Sequence, residues 1–452
     1  MQALTGADIE ARGRLQPLVA RSLAKRIRRL HGHASNMLRH SIGLPMCTVP
    51  IASLRSNRKS IARARRYLLR HYRTHRMNSR PRLHFSLGPV EDPMVDMRDD
   101  AFYVDTGFTK AALREAVRHL TLLPAKISHK STAAALTCML VRWRHPARWE
   151  LTCNVLRWQR STTLRVYWDT VTILHEHYGL LARTIDILRV RPLLEEWTGM
   201  LQHKLGCQAD ICYFQDGKCV PTARPGTGSY AQLIARRAGT PVNLVQQNAW
   251  GGMYHAHGVK AQHLLQADGM LSCYTYETVR QHDATVDVRS GIKYLLQQMD
   301  VGGDPNRPCK RCTDAAYRED RNTVCRHTAA QLRTIATNLG AAAADGVQRQ
   351  DSKNMSARMG VEMSFNSISG VFPMVDYKRT IRLLEGGKNN RVRLMQTWAC
   401  MVIMKNLYVC HMGSPESVLY NIQPPSIGEY LHNANHGLLV DPLRDLNNQN
   451  IV

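Results

Sequence analysis

Four acids stand in surroundings that suit metal-assisted chemistry: Asp216, Asp283, Asp314 and Glu362. Asp216 follows Cys212-Tyr213-Phe214, a strand-like run, and precedes Gly217, Pro221 and Pro225, which are expected to break the chain and leave the carboxylate at a strand end. Asp283 sits in Arg280-Gln281-His282-Asp283, Asp314 opens Asp-Ala-Ala-Tyr after Cys312-Thr313, and Glu362 lies four residues after Arg358, on the same face of an expected helix. Each acid taken alone reads better as a solvated surface carboxylate, and Asp216-Gly217 alone as a simple turn. Together, acids carried by separate strands and a helix could hold two divalent cations about 4 Å apart, the arrangement that activates water and stabilises the leaving oxygen in phosphodiester cleavage. Mg²⁺ or Mn²⁺ would suit such hard oxygen donors.

The elements that must position these acids are legible as a mixed pattern. From Phe108 to Leu180 apolar residues recur at helical spacing: Thr109 and Ser131 are expected N-caps, with a helix at Arg148–Leu156 and another at Thr162–Tyr178. The last presents Leu164, Tyr167, Trp168, Val171, Leu174, His175 and Tyr178 on one face, and Gln159-Arg160-Ser161 between the two suggests a helix-turn-helix. Arg157, Arg160 and Arg165 there favour phosphate contact, although a helical bundle without nucleic acid gives the same pattern. Further on, strands are expected at Ile211–Phe214, Ala261–Gln266 and Met270–Tyr276, the last two joined by a hairpin at Asp268-Gly269. Helices are expected at Ile292–Met299, Ala329–Leu339, Ser356–Ile368 and Val392–Leu407, with Gly340–Gly346 as an inserted loop. Strands first and helices around them make the fold class α/β.

Charge narrows the partner. The chain of 452 residues carries a formal +26 and a pI near 9.9, which points to a polyanion. Through Arg82 there are 17 Arg and 2 Lys against Asp8 and Glu10, a net +17 that suits a partly disordered phosphate-binding arm or a nuclear address. No apolar run reaches the ~18 residues that span a bilayer, and scattered cysteines without a secretory leader fit a reduced compartment. DNA or RNA is therefore expected, and no membrane. Cys309, Cys312, Cys325 and His327 have the elements of a zinc site, but the Cys325-Arg-His327 spacing is too tight for an ordinary second ligand pair, so free cysteines are expected. His255 and His257 could line the acidic site; His175 and His177 read as packed or exposed on their helix.

Five segments in order then carry a resemblance. Phe214–Pro225 resembles an Asp-Gly segment ending in Arg-Pro, and His257, Lys260 and Gln262 before Asp268-Gly269 resemble a His-x-x-Lys-x-Gln run and its hairpin. Arg280–Asp283 resembles a His-Asp segment, Thr313–Tyr317 a Gly-Asp-x-Ala-Tyr segment, and Met355–Phe365 a Met-Ser-x-x-Arg-x-x-Val-Glu helix. Over about residues 100 to 435 the chain resembles the PIF/Harbinger-type transposases and the transposase-derived nucleases of the DDE superfamily, and Ala147–Leu181 resembles their helix-turn-helix.

The resemblance implies a ribonuclease H-like catalytic core preceded by a small helical, helix-turn-helix-like domain. The implied division is a basic N-terminal extension (1–95), the helical domain (96–185), the nuclease domain (186–411) and a C-terminal tail (412–452). It implies Asp216, Asp314 and Glu362 as the catalytic triad of a DNA-cleaving hydrolase and Asp283 as a fourth metal-site acid, with Asp304 competing for the middle role. A divalent metal, Mg²⁺ or Mn²⁺, a nuclear location, and DNA with a possible separate DNA-binding partner protein complete the expectation. Three positions depart from the pattern: Gly252-Met253-Tyr254-His255 replaces a basic Gly-His-Lys-Arg, Thr313 replaces a glycine and Met363 an aromatic residue. A catalytically inactive, domesticated copy that binds DNA is the alternative they raise.

Overall fold

The computed structural model describes residues 90–222, 247, 250–317, 319–376 and 390–437, except the side chains of 273–278 and 390–393. All of these belong to the second of two units into which the chain divides, Pro89–Val452. The expected helical pieces at Arg21–Arg29 and Ile61–His75, and the Arg224-Pro225 pair, lie outside the described residues.

The first described elements are helices. These are α1 (Asp99–Thr106), α2 (Lys110–His119), α3 (Thr132–Arg144), α4 (Trp149–Leu156) and α5 (Arg160–Tyr178). The two expected caps are in place: the Thr109 hydroxyl accepts the Ala112 N–H at 3.1 Å and the Ser131 hydroxyl accepts the Ala134 N–H at 3.2 Å, each replacing a bond the first turn lacks. Between α4 and α5 the turn falls earlier than expected. Arg157 closes α4 in the left-handed region at φ 55, and α5 begins at Arg160 without a side-chain cap. Packing sets this turn: buried Trp158 donates its indole N–H to the Val90 carbonyl at 2.7 Å while Val90 N–H donates to Leu156 at 3.0 Å. Tyr167, Val171, Leu174 and Tyr178 of the expected stripe are fully buried.

After α6 (Leu194–Leu205) the chain enters the sheet with β1 (Ile211–Thr222), β2 (Ala256–Gln266) and β3 (Leu271–Thr278). Two short helices, α7 (Asp283–Arg289) and α8 (Ile292–Gln297), precede β4 (Lys310–Thr313) and β5 (Thr323–Cys325). The six-stranded sheet has β1 at its centre, with β2 and then β3 antiparallel on one side, and β4 and then β5 parallel on the other. A two-residue strand, Trp250–Gly251, also pairs with the start of β2. The fold is thus α/β with a mixed sheet. The Asp268-Gly269 turn joins β2 to β3 as expected; Gly269 takes φ 85, and the Asp268 carboxylate accepts the Met270 N–H at 3.0 Å.

The expected strand break after Asp216 does not occur. β1 runs on for six residues to Thr222, paired with β2 from Tyr213↔Gln266 to Thr222↔His257, so a continuous ladder overrides the local Gly and Pro signals. The expected loop at Gly340–Gly346 is also corrected. Helix α9 (Ala329–Leu339) ends at Gly340 and α10 (Ala341–Val371) starts at once, because the alanine run has high helix propensity and outweighs the single Gly346 within the helix. Helix α11 (Asn390–Met412) follows, and within the expected C-terminal tail α12 (Pro415–Tyr420) and α13 (Ile427–Asn435) are both capped helices.

One apolar core runs from the N-terminal helices into the sheet. Trp143 meets Phe372 edge-on at 5.1 Å, and the Cys400 thiol reaches the Val171 carbonyl at 3.4 Å, joining α11 to α5. Helix α10 covers one face of β1 and β4, where Cys312 contacts the Asn354 carbonyl and Tyr420 donates to the Ala357 carbonyl at 2.9 Å.

Candidate functional site

Side chains alternate along a strand, and in β1 this decides where each acid acts. Phe214, Asp216 and Lys218 face α10 and its neighbours: Phe214 packs on Tyr420, and Lys218 approaches Ser369 at 3.3 Å and lies over Phe365. Gln215 and Gly217 face α7 instead.

On the α10 face, Asp216 and Glu362 are joined through one guanidinium. Arg358 donates from Nη1 to Asp216 Oδ2 at 2.9 Å and from Nη2 to Glu362 Oε1 at 3.0 Å. The spacing of four residues on α10 that links Arg358 to Glu362 is the one expected from sequence. The second Asp216 oxygen accepts the Gly217 N–H at 2.8 Å. Asp314 stands at the end of the neighbouring parallel strand: Phe214 pairs with Cys312, so two residues further on Asp216 is level with Asp314. Burial pushes the Asp216 carboxyl above its ordinary range, the Asp314 charge adds to that push, and Arg358 pulls the other way. Asp314 itself accepts the Ala316 N–H at 2.8 Å, which curls the chain away from the strand end.

Asp304 is not part of this group. Its carboxylate accepts the Asn306 N–H at 2.8 Å in a turn whose Arg307 pairs with Asp210 just before β1 begins, away from Asp216 in the middle of that strand.

Asp283 lies on the other face. It opens α7 and sits over Gly217, where a Cβ would come within 2.4 Å of its Oδ1, so only glycine admits the approach. Lys260 holds this carboxylate at 3.1 Å and the Gln262 amide donates to it at 3.2 Å. Of the four expected acids, the structure brings Asp216, Glu362 and Asp314 to the α10-facing side of the sheet and places Asp283 behind it.

A polar network that the sequence reading did not identify lies beneath Asp283. Arg311 of β4, 0% exposed, pairs with both oxygens of Asp287, 3% exposed, at 2.5 and 2.8 Å. Its Nε donates to Thr323 at 3.0 Å, and Nη1 also reaches Gln215. Gln215 donates to Asp287 at 3.0 Å and to Gln262 at 2.9 Å, and Tyr317 donates to the same Gln262 oxygen at 2.9 Å. The signal available was the spacing of Asp283 and Asp287, one helical turn apart on α7.

The donor set of Asp216, Asp314 and Glu362 is all hard oxygen, which fits a divalent cation of the Mg²⁺ class. In their present placement, no three His, Cys, Asp or Glu side chains among the described residues gather around a single metal position, and Arg358 supplies the positive charge that two of the acids share. The residues with the elements of a zinc site have other partners: His327 pairs with Asp351 at 3.1 Å, Cys325 contacts Thr313 and Cys312 contacts the Asn354 carbonyl.

Around the turn between α4 and α5, Arg160 forms an exposed ion pair with Glu150 at 2.8 Å, and Arg165 is exposed. His257 lines a cavity together with Asp283 and His255 is exposed in the turn just before β2, while His175 is half-buried and His177 exposed. No described helix is long and apolar enough to cross a membrane. Compared with known proteins, this chain matches no family model, no curated protein and no solved structure.

Proposed function

We propose that the α10-facing side of the sheet at Asp216 is a metal-dependent DNA phosphodiester-cleaving site of the transposase-derived, DDE type. The observation that carries this reading is the meeting of Asp216 from the central strand with Glu362 from α10 on one guanidinium, with Asp314 one strand over at the same level. Strand order supports the finer fold reading, a ribonuclease H-like core. Three antiparallel strands come first, and two more are laid parallel on the other side of the first of them.

Asp216, Asp314 and Glu362 would hold the divalent ions, whose chemistry is to activate water and to stabilise the leaving oxygen. Arg358 neutralises two of these acids and offers a fork suited to a phosphate oxygen. Lys218, half-buried two residues along from Asp216 on the same face, adds a second cation there; desolvation lowers its pKa. Asp283, held by Lys260 and Gln262, acts from behind β1 as a support. DNA is the partner that the formal +26 favours, recruited by this chain or through a separate DNA-binding protein, and the nucleus is the compartment this reading implies.

The test is Mg²⁺- or Mn²⁺-dependent nicking of supercoiled plasmid by the full chain. Nicking should vanish in Asp216→Ala and survive in Asp304→Asn; nicking unaltered by Asp216→Ala would reject the reading. A second reading, a catalytically silent DNA-binding protein, is favoured by the double engagement of Arg358 and by the placement of Asp283 on the far face. It requires salt-sensitive duplex binding without nicking.

A further inference from the structure

A cavity of about 1190 Å³ opens on the Asp283 side of the sheet. Pockets for small molecules ordinarily span about 300–1,000 Å³, so this one is larger than a single small ligand needs. One wall is the turn joining Trp250–Gly251 to β2, which projects Trp250, 41% exposed, and Met253, 87% exposed. Large apolar side chains held in water on one short hairpin are unusual unless something covers them. Trp250 is braced edge-on by His257 at 5.0 Å, so its ring is held in place. The opposite wall carries exposed Arg280 and His282, and Lys260 paired with Asp283 lies between. Asp283 itself and Ala316, two residues past Asp314, line the same cavity.

We propose that this cavity takes an unpaired stretch of DNA, with a base stacked on Trp250 and the backbone drawn by Arg280. Aromatic faces with cations alongside are the ordinary means of holding single strands without sequence preference. The proposal rests on the DNA-cleavage reading only for its choice of nucleic acid.

The probe is a DNA oligonucleotide carrying 2-aminopurine, whose fluorescence falls on stacking, titrated with the full chain in EDTA as a single strand and as a duplex. The single strand should be quenched. Trp250→Ala should abolish the quench and weaken single-strand binding about tenfold, Trp250→Phe should restore most of both, and duplex affinity should stay unchanged throughout. A quench and single-strand affinity in Trp250→Ala equal to those of the unmodified chain would overturn the proposal. A quench without metal-dependent nicking would support the cavity while rejecting the catalytic reading; nicking without a quench would do the reverse.

Discussion

Two arginines on opposite faces of one sheet pair with acids in opposite ways. Arg311 and Asp287 are sealed: Arg311 uses Nε and both terminal nitrogens, and Gln215 and Thr323 complete the set. Arg358 is open: among the described residues its buried Nε finds no hydrogen-bond partner, and Glu362 stands 42% exposed. A sealed network specifies how β1, β4 and α7 fit together, because each member lost leaves another stranded. An open one leaves carboxylate surface for something else to bind. The two differ in solvent access more than in residue type, and that difference marks one as scaffold and the other as site.

The largest expected effect breaks the sealed side. Arg311→Met leaves Asp287 buried without its cation, and unfolding in urea should show a loss of about 3–5 kcal/mol; a loss under about 1 kcal/mol would mean that the network is not the scaffold described. Next comes pH. Burial pushes the His263 imidazole, opposite Asp216 on the α10 face, down to about 3, and its Nε2 accepts the Trp398 indole N–H at 3.0 Å. The folded pKa lies below the unfolded one, so the unfolded chain takes up a proton that the fold excludes. Stability should therefore fall as pH drops from about 6.5 toward 3, by up to about 1.4 kcal/mol per pH unit from this group. His263→Gln should flatten that part of the curve, and an identical slope would contradict the assignment. The smallest effect is on the open side: Arg358→Ala should cost about 0–1 kcal/mol, since its partners are only partly buried. Mg²⁺ should raise its melting temperature more than that of the unmodified chain, because two acids lose their shared counter-charge.

Much of this contrast was legible before folding. The Arg358–Glu362 spacing, the Asp268-Gly269 hairpin and the buried stripe from Tyr167 to Tyr178 follow from local rules of turn and period. What escaped depends on distant pairing. Pro221 and Gly217 argue for a break that the β2 ladder overrides. Gly340 and Gly346 suggest a loop, yet alanines restart a helix after the first. The convergence of Asp283 with the other acids failed for a geometric reason: the bare α-carbon of Gly217 seats it one residue along β1 from Asp216, which is the opposite face of the sheet. Arg311 and Asp287 carry no local signal that pairs them; only the fold brings them together and buries them.

Calorimetry with Mn²⁺ on the full chain tests the central claim most directly, that Asp216, Asp314 and Glu362 form an open acid site. Saturable uptake that is lost in Glu362→Gln and kept in Asp287→Asn is the predicted result. Absence of uptake by the unmodified chain, or uptake indifferent to Glu362→Gln, would contradict it.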